Sequence, residues 1–194
     1  ADGNTVSAAA ATLTGPVVTI NTANLTVSAV QNSDSEAGLV DANGERLLGV
    51  FDFYAANSNI DVKKIKLGVS DDGSTNAMAN LAQEVAMLKL YDGATLVATG
   101  AIDGSGSDAG RVKFDVGTAA GAKLFSVPAN TTKQLTVKAV LSDINSTSGA
   151  AFGNITAYIH NGDFDATAGT QTISTLGGAP ASGNIKRMYK TVPT

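Results

Sequence analysis

Apolar positions in this chain recur every second residue, over short runs separated by Gly, Asn, Asp and Ser. Asn24 to Gln31 sets Leu25, Val27 and Ala29 against Thr26 and Ser28. Leu47 to Ala56 places Phe51 and Phe53 two apart with Asp52 between them, and Val62 to Val69 sets Ile65, Leu67 and Val69 against Lys64, Lys66 and Gly68. The alternation returns at Leu88 and Leu90, at Val112, Phe114 and Val116, at Leu135, Val137, Ala139 and Leu141, and at Ile155, Ala157 and Ile159. A period of two puts successive side chains on opposite faces of a strand, so each run predicts a strand with one buried face. The inward members predict a core of Leu25, Val27, Phe51, Phe53, Ile65, Leu67, Leu88, Leu90, Phe114, Leu135, Val137 and Ile159.

The segments between runs carry turn chemistry. Asp92-Gly93 between two alternating runs predicts a hairpin with a type I′ turn, both central residues at positive φ. From Val85 to Ile144 four such runs follow one another at sandwich spacing, and this stretch is expected to organise the rest. The acidic segment with Asp34, Glu36, Asp41 and Glu45 reads as a solvated loop, Asn161 to Gly169 as a second loop, and Leu176 to Gly183 as a linker. Asn76 to Glu84, with Met78, Leu81 and Ala82 at helical spacing, reads as a short helix or an irregular crossover. Gln171 to Thr175 predicts a short strand, and Asn184 to Val192 predicts a closing edge strand on which Lys186 and Lys190 discourage unwanted pairing. Roughly ten strands without a strand–helix–strand alternation predict antiparallel sheets and an all-β fold.

The first thirty-odd positions differ from the rest, since residues 3 to 33 carry no charge at all. Pro16 forbids a continuous helix there, and Thr5, Val6, Thr12 and Thr14 are weak helix formers. The division expected is an extended N-terminal arm over residues 1–20 and a β-sandwich over residues 21–194. Val6, Ala8, Ala10, Val17, Val18 and Ile20 are the arm's candidate subunit-interface residues, with Pro16 where the arm leaves a borrowed sheet.

Composition narrows the function classes. The chain has 194 residues with 13 Lys and Arg against 17 Asp and Glu, a net charge of −4 that supplies no basic stripe for nucleic acid. Charged residues make up 15%, and a surface this poor in charge is expected either to be covered by neighbours or to be coated with something else. There is no Cys, which excludes disulfides, thiolate metal sites and thiol catalysis. No run reaches the 18 apolar residues a membrane helix needs, so membrane insertion is not expected. The opening Ala1-Asp2-Gly3 is read as the start of a mature secreted chain whose signal peptide has been removed, which places the protein outside the cell or on its surface.

Candidate chemistry is sparse. The lone His160 has no G-x-S-x-G elbow to serve and reads as a strand-end histidine. Asp52, Glu84, Asp103 and Asp115 could be weighed as a glycosidase pair, but aromatics are only 5% of the chain and stacking platforms for sugar are lacking. No catalytic residue is therefore assigned, and the chain is expected not to be an enzyme. Asn161, Asp163 and Asp165 place three oxygen side chains at alternate positions as a candidate calcium loop, and Asp71, Asp72, Asp103 and Asp108 sit in similar polar loops. The candidate calcium loop departs from an EF-hand, because the sixth position is Ala166 and the twelfth is Thr172. Lysines fall on outward strand positions, which speaks against an internal Lys–Asn crosslink. Asn24, Asn130, Asn145 and Asn154 head N-x-[ST] triplets and are candidate glycosylation sites.

Three segments carry a family resemblance: Leu88 to Gly93, the strand entry Val127 to Val137, and the closing Tyr189 to Thr194. They resemble the Ig-like β-sandwich repeats of large prokaryotic cell-surface and filament-forming proteins. The resemblance implies an Ig-like antiparallel two-sheet sandwich with a structural or adhesive role outside the cell. The uncharged arm looks like the donor strands by which filament subunits complete a neighbour. The partners so implied are copies of the chain itself, with glycans or other cell-surface components as the alternative. No sortase-type sorting motif and no type IV pilin leader helix is found.

Overall fold

Alternation in the sequence becomes alternation in burial, strand by strand. The computed structural model describes residues 21–30, 39–41, 44–71, 85–103, 106–141 and 154–189. Among these, regular structure is β-strand, numbered β1 to β14 along the chain, apart from one 3-10 turn at Gly106–Asp108. The chain is an all-β sandwich of two sheets. The first sheet runs in the spatial order β1 (Asn24–Ala29), β3 (Gly44–Ala56), β9 (Thr132–Leu141), β5 (Val85–Asp92) and β6 (Thr95–Ala101), every pair antiparallel.

The second sheet is built around β4 (Ile60–Ser70), whose eleven residues are paired along both edges. On one edge lie β8 (Phe125–Val127) and β7 (Arg111–Asp115); on the other lie β11 (Asp165–Ala168) and β10 (Asn154–Ile159). Beyond that second edge the sheet extends through β12 (Gln171–Ile173) next to β11, and through β14 (Lys186–Tyr189) and β2 (Leu39–Asp41) next to β10. β13 (Ala181–Ser182) pairs with β10 alongside β14.

Between the sheets lies one apolar core. All twelve residues expected there are buried, Phe51, Phe53, Ile65, Leu67 and Leu135 completely. Phe53 of the first sheet meets Phe125 of the second edge-to-face at 5.2 Å between ring centroids, which joins the layers by an aromatic contact as well as by area.

Several local expectations are corrected. The hairpin between β5 and β6 is present, but Gly93 has φ 57 while Asp92 is not at positive φ. Asp92 pairs with Thr95, so the turn is centred on Gly93-Ala94, the pattern with glycine first, and not on Asp92-Gly93. Part of the acidic loop is strand: Leu39–Asp41 pairs with β14 in parallel, whereas the other pairings between the numbered strands are antiparallel, and Glu45 belongs to β3. Asp165–Ala168 is strand and not loop, held between β4 and β12. The stretch expected to be linker contains β13 and the buried Leu176. β14 is no edge strand, because it lies between β10 and β2, and its Lys186 is buried while Ile185 just before it is exposed. These errors share a cause: strands of two to four residues are too short to show a period, and their burial comes from partners far away in sequence. The expected helix at residues 76–84 lies outside the described residues.

Replacing Phe53 by Ala removes a fully buried ring from the contact between the sheets and should cost about 3–5 kcal/mol. Leu96→Ser, at an exposed position of β6, should stay within about 0.5 kcal/mol of wild type. Urea unfolding midpoints for the two variants check both values.

Candidate functional site

The outer face of β4 is where titratable groups gather. Ile65, Leu67 and Val69 point into the core, so Lys66, Gly68 and Ser70 point outward. Register then decides what surrounds them. Lys66 faces Lys113 and Gly68 faces Arg111 across the β4–β7 pairing, while Tyr158 of β10 faces Gly68 from the other side. A Cβ at position 68 would stand 2.3 Å from Cζ of Tyr158, so the absent side chain lets the tyrosine ring lie flat across β4. Tyr158 is therefore completely buried although it sits on the outward face. Its hydroxyl accepts a hydrogen bond from Arg111 Nε at 3.1 Å, and Arg111 Nη1 donates to the Ser107 carbonyl at 2.5 Å.

Lys66 is outward yet its side chain is only 7% exposed. Two carboxylates close over it. Asp108, at the end of the 3-10 turn, accepts from Nζ at 2.8 Å, and Asp163 pairs with the same ammonium from the loop after β10. Asp163 has φ 54, a left-handed conformation that aspartate tolerates better than most residues. Burial opposes the charge on Lys66, but hydrogen bonds to Asp108 and Asp163 outweigh it and hold the ammonium above its ordinary pKa. Both aspartates are held below the usual carboxylate range, first by their hydrogen bonds to Lys66. His160 is pushed down, by burial first and by the charge of Arg111 next, and its Nδ1 accepts the Gly162 N–H at 2.9 Å.

Beside this cluster runs a cleft of about 410 Å³ between the end of β6 and β7. Lys66, Asp108, Arg111 and Lys113 line its charged side, and Gly100 and Val112 line its apolar side. At Gly100 an added Cβ would meet Val112 Cγ2 at 2.5 Å, so glycine is what permits the edges of the two sheets to approach here. The loop joining β6 to β7 is tied by Asp103 N–H to the Arg111 carbonyl at 2.9 Å and by Gly110 N–H to the Asp103 carbonyl at 2.7 Å.

A second polar group covers the outer face of the first sheet. Glu45 takes Lys89 at 2.6 Å, Lys138 at 3.3 Å and the Tyr91 hydroxyl at 3.1 Å, with Lys138 Nζ 4.6 Å from the centre of the Tyr91 ring. Lys89 is the main reason the Glu45 carboxyl lies below its ordinary value. These charges knit neighbouring strands and leave the lysine and glutamate partnered with each other.

The sequence-derived candidates are dispersed. Asp52 lies on the outer face of the first sheet, hydrogen-bonded to Gln134 at 3.0 Å, whereas Asp115 ends β7 in the second sheet, 3.9 Å from Lys64. In the candidate calcium loop, Asn161 is exposed, Asp163 is committed to Lys66, and Asp165 stands opposite Lys64 in β11. Among the described residues no three His or carboxylate side chains lie close enough together to hold a metal ion. Val6, Ala8, Ala10, Val17, Val18 and Ile20 lie outside the described residues, as do Asp72, Glu84 and Asn145. The residues the sequence reading passed over are Lys66, Arg111 and Tyr158, and Asp108 reads from the sequence only as a carboxylate of a polar loop. Only the outward alternation of Lys66 and Gly68 hinted at them, because their meeting depends on pairings about 40 to 90 positions apart. The expectation that outward lysines are solvated fails at Lys66. Both partners are stabilised as ions, the opposite of what amide formation between them needs.

The edges of the sheets complete the picture. β1 receives a second partner on its free side, since Val27 N–H bonds the Gly177 carbonyl at 2.8 Å and Gly177 N–H bonds the Leu25 carbonyl at 2.9 Å. β12 and β2 have three residues each. β6 has seven, Thr-Leu-Val-Ala-Thr-Gly-Ala, with no charge and no Pro, and its Leu96 is 47% exposed. No helix among the described residues is long and apolar enough to cross a membrane.

No protein-family model and no curated protein matches the chain. Solved structures similar to it include the seventh ScaB type I cohesin from Pseudobacteroides cellulosolvens, at 12% identity and TM-score 0.36, covering 88% of this chain and 95% of that one. A type I cohesin–dockerin complex from Clostridium thermocellum is matched at 14% identity and TM-score 0.38, covering 90% and 100%. The bacterial hydrophobin BslA is matched at 10% identity and TM-score 0.29, covering 92% and 100%. At these scores none of the three bears on what this chain does.

The Lys66 cluster has a predicted pH signature. The lowered carboxyls of Asp108 and Asp163 contribute stability above their ordinary pKa of about 4, and lose it as pH falls through their folded values. The raised ammonium of Lys66 contributes below its ordinary value of about 10.4, and loses it as pH rises through the folded one. The stability gap between wild type and Lys66→Met should therefore be widest between about pH 5 and 9 and narrow toward both extremes. Thermal midpoints of the two proteins from about pH 2 to about pH 11 decide it; a gap independent of pH would show that the ion pairs contribute nothing.

Proposed function

We propose that the chain is a non-enzymatic structural subunit of an extracellular filament or surface layer, joined to its neighbours by strand donation. One observation carries the reading. Both sheets and the core between them are built from the described residues, which begin at position 21, with β1 in place beside β3. The preceding residues are uncharged from residue 3 onward and set Val6, Ala8 and Ala10 at alternate positions, the pattern of a strand. A strand-like segment in front of a sandwich so assembled is a segment to lend. Low surface charge supports it, because the same surface has to be covered by neighbours. The mutual pairing of Lys66 with Asp108 and Asp163, and of Glu45 with Lys89, supports a framework role for the charged groups. The resemblance to prokaryotic surface repeats supports the extracellular setting.

The cleft between β6 and β7 favours a second reading, a carbohydrate- or surface-binding module of a larger secreted protein, since its mixed charged and apolar lining could hold a polar ligand. The two readings differ in self-association. Sedimentation velocity and negative-stain microscopy of the purified full chain should show concentration-dependent polymers without added ligand. A strictly monomeric chain at high concentration that binds a glycan array would replace the first reading with the second.

A further inference from the structure

Sheet edges are normally protected, because a row of unpaired N–H and C=O groups recruits other strands. The other strands that are paired on one side only among the described residues are protected in recognisable ways. β2, β8 and β12 are three residues long and β13 two, β7 carries Arg111, Lys113 and Asp115, and β1 is bridged by Gly177. β6 differs: it ends the first sheet with seven residues that include no charge and no Pro, and its one irregularity is a bulge at Val97, between the Leu90–Ala98 and Tyr91–Leu96 pairs. Among the described residues no strand pairs with its outer edge.

The side chains of β6 are those of a strand awaiting a neighbour. Val97 and Ala98 are half-buried and rest on the core, so the core thins to small side chains at this edge. Leu96 lies exposed on the outer face, in register with Tyr91. Toward its C-terminal end β6 approaches β7 at Gly100, and the free stretch is thus Thr95 to about Thr99. At ~3.4 Å per residue this is a slot of ~17 Å, which five or six residues fill.

We propose that this edge of β6 is the acceptor for the N-terminal arm of a second copy, with the segment around Val6, Ala8 and Ala10 as occupant; the proposal rests on the self-assembly reading above. The arm matches the slot in kind. It is uncharged, so docking strands no ion, and its alternate Val and Ala side chains suit a rim made of Val97 and Ala98. Reach is ample, since seventeen residues from position 4 to 20 span up to ~55 Å when extended. Position in the sheet then sets the form of the assembly. The arm joins the fold at β1, and β6 lies at the other end of the same five-stranded sheet, four strand spacings or ~19 Å away. Donor and acceptor are different surfaces at opposite edges, so each copy receives at one side and gives at the other. Such a heterologous contact generates an open chain of copies or a ring, not a two-fold dimer.

The absence of Cys gives a clean background for testing this. Full-length Leu96→Cys is mixed with full-length Val6→Cys, Ala8→Cys or Ala10→Cys and oxidised, with Lys123→Cys replacing Leu96→Cys as the control position. Disulfide-linked pairs with the Leu96 variant and not with the control are expected for at least one arm position. Leu96→Lys in an otherwise natural chain should reduce polymer mass at least tenfold while its thermal midpoint stays near wild type. If a chain carrying both cysteines crosslinks only within itself, the arm serves its own sheet and the proposal is wrong. If wild type polymerises, Leu96→Lys polymerises equally well and no pair forms, the acceptor edge is wrong while self-assembly stands. If wild type never polymerises and no pair forms, both fall together.

Discussion

Eleven residues of β4 bear the constraint on which the second sheet depends. Four other strands take their register from this one: β8 and β7 along one edge, β11 and β10 along the other. Ile65, Leu67 and Val69 are drawn into the core, and a slip of one residue would send Lys66 there instead. An inward lysine without a partner would be costly, so the hydrophobic face and the charged face specify the same register. Outside, the buried ammonium of Lys66 is tolerable because Asp108 and Asp163 reach it from two loops. Those loops are in turn held onto the sheet by it.

The charged side chains of this protein thus act chiefly on its own framework. Lys66 ties the β6–β7 connection and the loop after β10 to β4, and Glu45 ties β3, β5 and β9 on the opposite face of the sandwich. The edge of β6 carries no charge, whereas the cleft beside it keeps Arg111 and Lys113 on its charged side. Strand addition uses backbone hydrogen bonds and small side chains, so it suits a molecule so poor in free charge. In the first sheet the bridge of Gly177 onto β1 leaves β6 as the end strand with no second partner among the described residues.

Legibility in the sequence followed strand length. Runs of five or more residues announced themselves, and Phe51, Phe53, Leu88, Leu135 and their fellows were buried as their alternation required. Leu39–Asp41, Asp165–Ala168 and Ala181–Ser182 are strands only because β14, β4 and β10 pass beside them. The candidate site was harder still. Lys66, Arg111 and Tyr158 are outward residues of three separate runs, and a single outward lysine is ordinarily solvated. Nothing local to Gly68 announces that it is small so that Tyr158 can lie across it.

By itself, the sequence determined which face of each longer strand is apolar, that the fold is all-β, and that no thiol chemistry is available. A period of two is a local property, set by the pleat of one strand, and it is written in the residues of that strand alone. Which strands are neighbours is a property of the whole chain. β5, β6 and β9 joined one sheet while β7 and β8, lying between them in sequence, crossed to the other. That choice rests on closing two apolar faces over one core, and it placed Lys66 under its aspartates and left the outer edge of β6 without a partner strand among the described residues. The residues of these strands carry no local mark of either outcome, because both are decided by partners that only the folded chain brings alongside.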